Sequence, residues 1–420
     1  MTDVLWAQQQ PIRLPGSTLP EPAEPKGLEF TGRGGAFFRL VLAGAALQLV
    51  TFGFYRFWLV TDVRRHLWSR TRLDGDAFEY TGHGRELLVG FLFALAILSP
   101  IYLGYFLLGL EVERFKAFAS IPLFLFFYVF QQFAVYRARR YRLTRTVWRG
   151  VRFWMAGSGW SYALRSSAWT LGVILTLGLL YPWRAAALER YKARHTFYGD
   201  LQADFTATGG ELFARLWGLW LVFATPLALI LASAAAQYRS GSRLEADPTA
   251  AALLGAASLS APVLPFLWPL FRAIEWRWWV GGVRFGDLTA GSALRKRDIY
   301  ALYLKFALSS ALIVGLVVGL AAGAILLLTS ATGLKADDFI LMRGEAAGVA
   351  GAAAMLLLYL SVGLAVGVLQ RYFLQRGLWR AVVGSTRLAG GAALEAVVAQ
   401  GSAANALGEG LADGLDVAGF

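Results

Sequence analysis

The chain has 420 residues, of which 57% are hydrophobic and only 16% are charged. Soluble domains carry about 25% charged residues, so this composition excludes an ordinary soluble protein and indicates a membrane protein. The formal net charge is +13, and arginine supplies most of the basic residues. The chain has no cysteine and three histidines, so we predict neither a disulfide framework nor a metal site, and no cofactor.

Eight apolar segments follow one another along the chain, and each is long enough to reach across a hydrocarbon core, which takes ~20 helical residues. They lie at 37–60, 86–109, 117–136, 161–183, 211–236, 250–271, 302–330 and 347–370. Residues 1–27 precede them as a proline-rich tail that we expect to be disordered. Residues 389–420 follow them as a Gly/Ala-rich tail without a convincing span.

The first and fourth apolar segments carry related motifs. Thr51 to Trp58 is echoed by Thr176 to Trp183, an offset of 125 residues at which several flanking Gly, Arg, Thr and Glu positions also match. Repeated hydrophobic segments with similar polar loops are typical of membrane proteins built by internal duplication. The sequence therefore predicts internal repeats.

Five Arg-rich stretches each contain a short alternating run around a glycine, which favours tight two-residue turns. The five runs are Arg72 to Phe78, Trp148 to Phe153, Phe197 to Leu201, Val280 to Phe285 and Val383 to Leu388. We interpret them as β-hairpins. The alternative is that they are plain polar loops with glycine for flexibility.

The basic residues predict the topology. If 37–60 and 161–183 each enter and leave the membrane on one face, the Arg-rich loops share a side, and only six basic residues remain in 110–117, 237–250 and 331–346. Because positive charge favours the cytoplasm, we predict cytoplasmic termini, six full spans and two re-entrant or interfacial segments. The competing topology is eight ordinary spans.

These features together predict an all-α polytopic membrane protein with internal repeats and short cytoplasmic β-hairpins between the helices. We predict five parts of the chain from the apolar segments and the two tails. The parts are the disordered tail 1–27, membrane repeat 1 at 28–136, membrane repeat 2 at 137–272, a third and shortened membrane hairpin unit at 273–388, and the Gly/Ala-rich tail 389–420.

The motif Thr-x-Gly-x-Tyr-x-x-Trp at 51–58, with its trailing arginines and the run Asp-Gly-x-x-Phe-x-Tyr-x-Gly at 74–82, resembles the YjgN-type inner-membrane proteins of bacteria. The resemblance covers roughly 28–388. The second copy of the motif, which begins at Thr176, departs from the first by an extra residue before Tyr181 and by Asp200 where the first copy has Gly75. The resemblance implies a multipass helical protein of the bacterial inner membrane, and it implies no activity.

Polar groups and backbone breaks within apolar segments mark candidate sites, because they are costly in a membrane. We expect a polar cavity lined by Gln48, Gly53, Tyr55, Gly178 and Tyr181. The alternative for the tyrosines is that they are only interfacial anchors.

Glu275 is the candidate coupling carboxylate. Arg272 lies three residues before it, so an ion pair at helical spacing among interfacial tryptophans is the alternative interpretation.

Five arginines follow the third apolar segment at once and are candidates for binding anionic lipid headgroups; they are Arg137, Arg139, Arg140, Arg142 and Arg145. The alternative is that they only set orientation. We expect membrane lipids as partners and no nucleic acid, because the arginines lie in short stretches between apolar runs.

No arrangement of catalytic residues is evident, so we predict a protein that is not an enzyme. The prediction for function is transport of a small solute or ion. The alternative is a membrane protein that binds anionic lipid or a partner through its Arg-rich cytoplasmic loops. Nothing in the sequence indicates the oligomeric state.

Overall fold

The computed structural model describes residues 26–111, 116–241, 247–332, 345–402 and 404. The predicted disordered tail 1–27 therefore lies outside the described residues up to position 25. The loops 110–117, 237–250 and 331–346 and the tail 389–420 also fall partly or largely outside them.

Ten short strands close into one antiparallel barrel, in which each strand pairs with its sequence neighbours and β10 pairs with β1. The strands are β1 (Lys26–Phe30), β2 (Thr71–Leu73), β3 (Asp76–Tyr80), β4 (Thr146–Trp148), β5 (Val151–Met155), β6 (Thr196–Tyr198), β7 (Leu201–Phe205), β8 (Val283–Phe285), β9 (Leu288–Ser292) and β10 (Thr386–Ala389). Closure removes the exposed strand edges that isolated hairpins would present.

Tight turns join the strands at one end of the barrel, and helices join them at the other. Asp74 and Gly75 have φ values of 53° and 83°, and Arg149 and Gly150 have values of 48° and 78°. Positive φ at both central residues matches the twist of two-residue hairpins. At the opposite end, five helical units leave the barrel and return to it between β1 and β2, β3 and β4, β5 and β6, β7 and β8, and β9 and β10.

Each helical unit contains an outgoing and a returning helix. The helices are α1 (Gly34–Val50), α2 (Arg56–Ser69), α3 (Gly84–Glu111), α4 (Lys116–Thr144), α5 (Gly159–Leu175), α6 (Tyr181–Arg194), α7 (Gly209–Ser240), α8 (Pro248–Ser260), α9 (Leu264–Gly282), α10 (Lys296–Thr332), α11 (Glu345–Leu369) and α12 (Gly377–Ser385). A π-helical stretch, Gln370–Arg376, joins α11 to α12. We call α2, α4, α6, α9 and α12 the return helices.

One backbone hydrogen bond closes the base of every helical unit. The residue after the outgoing strand donates its N–H to the carbonyl of the residue before the returning strand, at 2.8 to 2.9 Å. The pairs are Thr31 with Arg70, Thr81 with Arg145, Ala156 with His195, Thr206 with Gly282, and Ala293 with Ser385. The five units therefore join the barrel in the same way.

The first residue of each returning strand forms the junction between helix and barrel. In four units it is a threonine whose hydroxyl donates to the carbonyl four residues earlier, at 2.8 to 2.9 Å. These junction residues are Thr71, Thr146, Thr196 and Thr386, with Val283 in the fourth unit. The hydroxyl satisfies one of the carbonyls that a helix end leaves without an intrahelical partner.

The predicted all-α class is wrong, because the hairpins are not isolated loops between helices but parts of a closed barrel. Three predicted hairpins are present, with turns at Asp74-Gly75, Arg149-Gly150 and Gly199-Asp200. The fourth turn lies at Gly286-Asp287, since Gly281-Gly282 ends α9. The fifth stretch ends α12 and continues as β10, whose second partner is β1 at the start of the chain.

Within the described ranges, five helical stretches are long and apolar enough to cross a membrane. They are Gly84–Leu107, Gly209–Ser240, Pro248–Gly282, Lys296–Ala331 and Gly351–Ser385. The segments 37–60 and 161–183 are not continuous helices: they break at residues 51–55 and 176–180, where Gly53 and Gly178 have φ values of 88° and 90°. Both segments thus fold as helical hairpins whose two ends lie at the barrel.

Candidate functional site

A cavity of about 650 Å³ lies on the barrel axis and continues into the space between the return helices. Barrels of this size commonly enclose a ligand rather than a filled core. The strands contribute apolar and aromatic side chains, and the return helices contribute tryptophans and charged groups.

The strand part of the cavity, here called the lumen, is lined by the side chains two residues after each junction. These are Leu73, Trp148, Tyr198, Phe285 and Leu388. Alternate residues of a strand point to the same face, so a Thr-x-apolar pattern at each junction turns one apolar group inward. The Trp148 and Tyr198 rings lie 5.7 Å apart, and the Tyr198 hydroxyl donates to the Trp148 carbonyl at 3.1 Å.

The helical part of the cavity follows one face of each return helix. In α9, Arg272, Glu275, Trp276 and Trp279 line the cavity at spacings of three, four and seven residues. That spacing keeps side chains on one helical face. Trp278, Val280 and the junction Val283 also line the cavity. The polar residues lie one to three turns before the junctions, so they form a charged layer about 10 Å from the strands at 1.5 Å rise per residue.

Glu275 is one centre of the charged layer. Its carboxylate accepts a hydrogen bond from the Tyr181 hydroxyl of α6 and pairs with Arg272 on its own helix. The Arg272 guanidinium also lies over the Trp276 ring, 5.5 Å from its centroid. The predicted ion pair at helical spacing is therefore present, and Tyr181 adds a contact between two return helices.

Glu189 of α6 is the second centre. Its carboxylate pairs with Lys192, lies 3.9 Å from Arg139 of α4 and accepts a 3.0 Å hydrogen bond from the Trp279 indole of α9. Burial by itself raises the pKa of Glu189, but the charges of Lys192 and Arg139 and the hydrogen bonds lower it below the ordinary value. Glu189 is thus a half-buried carboxylate that lines the cavity and whose charged form is favoured by its neighbours.

The five residues predicted to line one polar cavity do not all lie in the same place. Tyr181 reaches the charged layer through Glu275, whereas Gln48, Gly53, Tyr55 and Gly178 lie at the breaks between the short helices. Gly53 donates its N–H to the Gln48 carbonyl at 2.7 Å, and Gly178 makes the matching bond to Val173 at 2.7 Å. The amide nitrogen of Gln48 is buried without a hydrogen-bond partner. None of these four residues lines the axial cavity.

The five candidate lipid-binding arginines are divided between several surroundings. Arg139 and Arg142 line the cavity. Arg145 pairs with Glu86 at 2.7 Å, and the Tyr141 hydroxyl donates to the same carboxylate at 2.7 Å. Arg137 packs against Gly159 at the start of α5. Arg140 is half-buried on a different face of α4 from Arg139. They do not form one surface.

Sequence reasoning missed the regular register of the return helices. An arginine stands six residues before every junction: Arg65, Arg140, Arg190, Arg277 and Arg380. Aligning the Arg-rich stretches on this arginine and on the residue six positions later, a threonine in four of the five, would have revealed five units of different length. The fixed offset of 125 residues relates only the first and third.

A C-terminal segment covers the turn end of the barrel. The Asp287 carboxylate in the β8–β9 turn accepts hydrogen bonds from the N–H groups of Gly391, Ala392 and Ala393 at 3.0 to 3.2 Å. Asp200 in the β6–β7 turn accepts from the Val398 N–H at 2.9 Å. Leu394 lines the cavity, so this segment borders the axial cavity at the end opposite the helices.

The barrel with its five helical units, three of which hold the apolar spans, defines a class of polytopic membrane protein with a ligand-sized cavity on its axis. The chain belongs to the family described as "Bacterial protein of unknown function (DUF898)", which matches residues 25–414. It is 28% identical over 164 residues to a protein named inner membrane protein YjgN from Salmonella typhimurium, a match that covers 36% of each chain. No solved structure matches the chain. The family and this relative support an inner-membrane location.

Proposed function

We propose that this protein binds one amphipathic molecule on the barrel axis and is not an enzyme. The observation that carries the proposal is the axial cavity, which is apolar and aromatic at the strands and charged at the return helices. Its volume of about 650 Å³ falls within the range of roughly 300–1,000 Å³ typical of small-molecule sites. The apolar part of the ligand occupies the lumen, and its polar group contacts the charged layer.

The membrane arrangement is part of the proposal. The barrel lies on the cytoplasmic side, because the basic residues concentrate in the segments that adjoin it. Both ends of α1–α2 and of α5–α6 lie at the barrel, so these hairpins enter the membrane and return to the same face. The termini are then cytoplasmic, since β1 and β10 are neighbours in the barrel.

Transport of a small solute or ion is the second candidate. The observation that favours it is the position of Glu189, Glu275 and Arg272 on the axis. The aromatic lumen disfavours it for an ion, because moving an unpaired charge into apolar surroundings is costly. An amphipathic ligand avoids that cost.

Quenching of tryptophan fluorescence by a bromine-labelled fatty acid tests the proposal on the full chain in maltoside micelles. Ala290 faces the lumen, whereas Thr289 beside it does not line the cavity. We expect saturable quenching that is lost in Ala290→Phe, which fills the lumen, and retained in Thr289→Phe. Equal quenching curves for both variants and the native chain would contradict binding in the lumen.

A flux assay distinguishes the second candidate. Reconstituted vesicles that take up a small ion or solute, with uptake abolished by Ala290→Phe while no fatty acid binds, would favour transport. Fatty-acid binding without uptake favours the first proposal.

A further inference from the structure

A second cavity, of about 630 Å³, lies outside the barrel wall where the fourth and fifth helical units meet. It shares Trp278 with the axial cavity but none of its charged lining residues. Its charged groups are four cations and one carboxylate: Arg215, Arg277, Arg284, Lys296 and Glu211. The site therefore carries a net charge of +3.

The cations come from the barrel-side ends of three apolar helices and from one strand. Arg215 lies in the second turn of α7, Arg277 near the end of α9, and Lys296 at the start of α10. Each of these helices belongs to a stretch long and apolar enough to cross a membrane. The cavity thus lies at the height of the lipid headgroups, where basic pockets between helices recognise anionic headgroups.

In the part of the chain that the structure describes, these cations have no close anionic partner. Among the described residues, no carboxylate oxygen lies within 4 Å of a side-chain nitrogen of Arg215, Arg277, Arg284 or Lys296. Arg284 donates a long 3.4 Å hydrogen bond to the Thr206 hydroxyl. Four cations around one cavity repel one another unless an anion joins them.

The register of the return helices supplies an internal comparison. Arg65 donates to the Gly82 carbonyl at 2.8 Å, and Arg190 donates to the Phe205 carbonyl at 3.4 Å, so both attach a return helix to the outgoing strand or loop of the next unit. Arg277 stands at the same register but makes no such hydrogen bond in the described structure. Its guanidinium faces the second cavity instead.

We propose that this cavity binds a phosphate group, carried by an anionic phospholipid headgroup or present as free phosphate. Guanidinium groups bind phosphate oxygens bidentately, and Lys296 adds a point charge. Thr206 and Ser292 also line the cavity, so their hydroxyl groups lie beside the same cations. This site is independent of the proposed axial ligand.

Native mass spectrometry of the full chain in maltoside, titrated with phosphatidylglycerol or phosphatidylcholine, tests the proposal. We expect retention of phosphatidylglycerol over phosphatidylcholine. The double variant Arg277→Gln and Arg284→Gln should weaken phosphatidylglycerol binding by about thirtyfold, because each lost cation contributes about 1 kcal/mol. Arg380→Gln is the matched control, because Arg380 is exposed at the same register and lines neither cavity.

A second double variant, Arg215→Gln with Lys296→Gln, keeps the test valid if the first pair unfolds, since both side chains are exposed. Competition by millimolar inorganic phosphate would identify free phosphate as a sufficient ligand, and its absence would assign the site to the lipid. Equal binding of the two lipids with no competition by inorganic phosphate would overturn the proposal. An equal loss in Arg380→Gln would also overturn it.

Discussion

Tyr181 donates a hydrogen bond to the Glu275 carboxylate although 94 positions separate the two residues. The sequence marks both residues as candidates, but on different grounds. Tyr181 belongs to a repeated motif, and Glu275 is a carboxylate near an apolar segment. The barrel brings them together because α6 and α9 are the return helices of successive units. Their contact links two return helices within the charged layer.

Removal of this hydroxyl should destabilise the protein. Tyr181→Phe leaves a half-buried carboxylate short of one hydrogen bond, which costs about 1–3 kcal/mol of unfolding free energy. Thermal unfolding in detergent measures the effect, with the exposed Tyr238→Phe as the control. Equal melting temperatures for the two variants would mean that this bond contributes nothing to stability.

Replacing different junction threonines by valine should lower the free energy of unfolding by different amounts. Thr196→Val removes one buried hydroxyl bond and should cost about 1 kcal/mol. Thr146→Val also leaves the Trp68 indole N–H, which lies 3.0 Å from the Thr146 hydroxyl, without its partner and should cost about 2–3 kcal/mol. The native Val283 at the fourth junction indicates that valine fits this position. The expected order is tested by unfolding both variants, and the reverse order would refute it.

Replacing either of two glycines at helix starts by alanine should destabilise the protein. A Cβ on Gly84 would lie 2.8 Å from the Trp58 Cα, and one on Gly209 would lie 2.7 Å from the Trp183 Cα. Because backbone cannot move aside cheaply, Gly84→Ala and Gly209→Ala should each cost about 1–3 kcal/mol. Gly104→Ala, where the added atom meets open space, should not lower the melting temperature. Harmless substitutions at 84 and 209 would show that the helices can shift apart.

The C-terminal segment should be released when Asp287 is lost. Hydrogen exchange of the Gly391, Ala392 and Ala393 amides should accelerate in Asp287→Ala, because the carboxylate accepts all three.

The same anchor should depend on pH only in acid. The N–H groups of Ala393 and Gly391 lower the pKa of Asp287 below its usual 3.8. The anchor is therefore fully present above 3.8 and is lost only as pH falls through the lower folded-state pKa. The protection of these three amides against hydrogen exchange should be constant between pH 6 and 8, after correction for their intrinsic exchange rates. Asp204→Ala, an exposed strand carboxylate, is the control, and the same acceleration there would contradict a specific anchor.

Single cysteines in this cysteine-free chain test the orientation. A cysteine at Glu79 on β3 should react with a membrane-impermeant maleimide only after the membrane is opened, because we propose a cytoplasmic barrel. One at Ser240, at the far end of α7, should react from outside. External labelling at 79 would reverse the proposed orientation.

The sequence by itself determined the membrane class, five of the six predicted spans and the local turns. The turns at Asp74-Gly75 and Arg149-Gly150 use positive φ at both residues, and the glycine in each tolerates it, so these hairpins are favoured by neighbouring residues. The breaks at Gly53 and Gly178 are also local, because each glycine accepts a conformation that other residues rarely adopt.

Only the tertiary structure decided what the hairpins build. Leu28 opposes Leu73 across β1 and β2, and Lys26 opposes Leu388 across β1 and β10, so strand partners are separated by tens to hundreds of residues. Strands of three to five residues carry no signal for such distant partners, since backbone pairing is the same for every neighbour. The axial cavity and the contact between Tyr181 and Glu275 exist only after all ten strands have closed, because closure alone brings the five return helices around one axis.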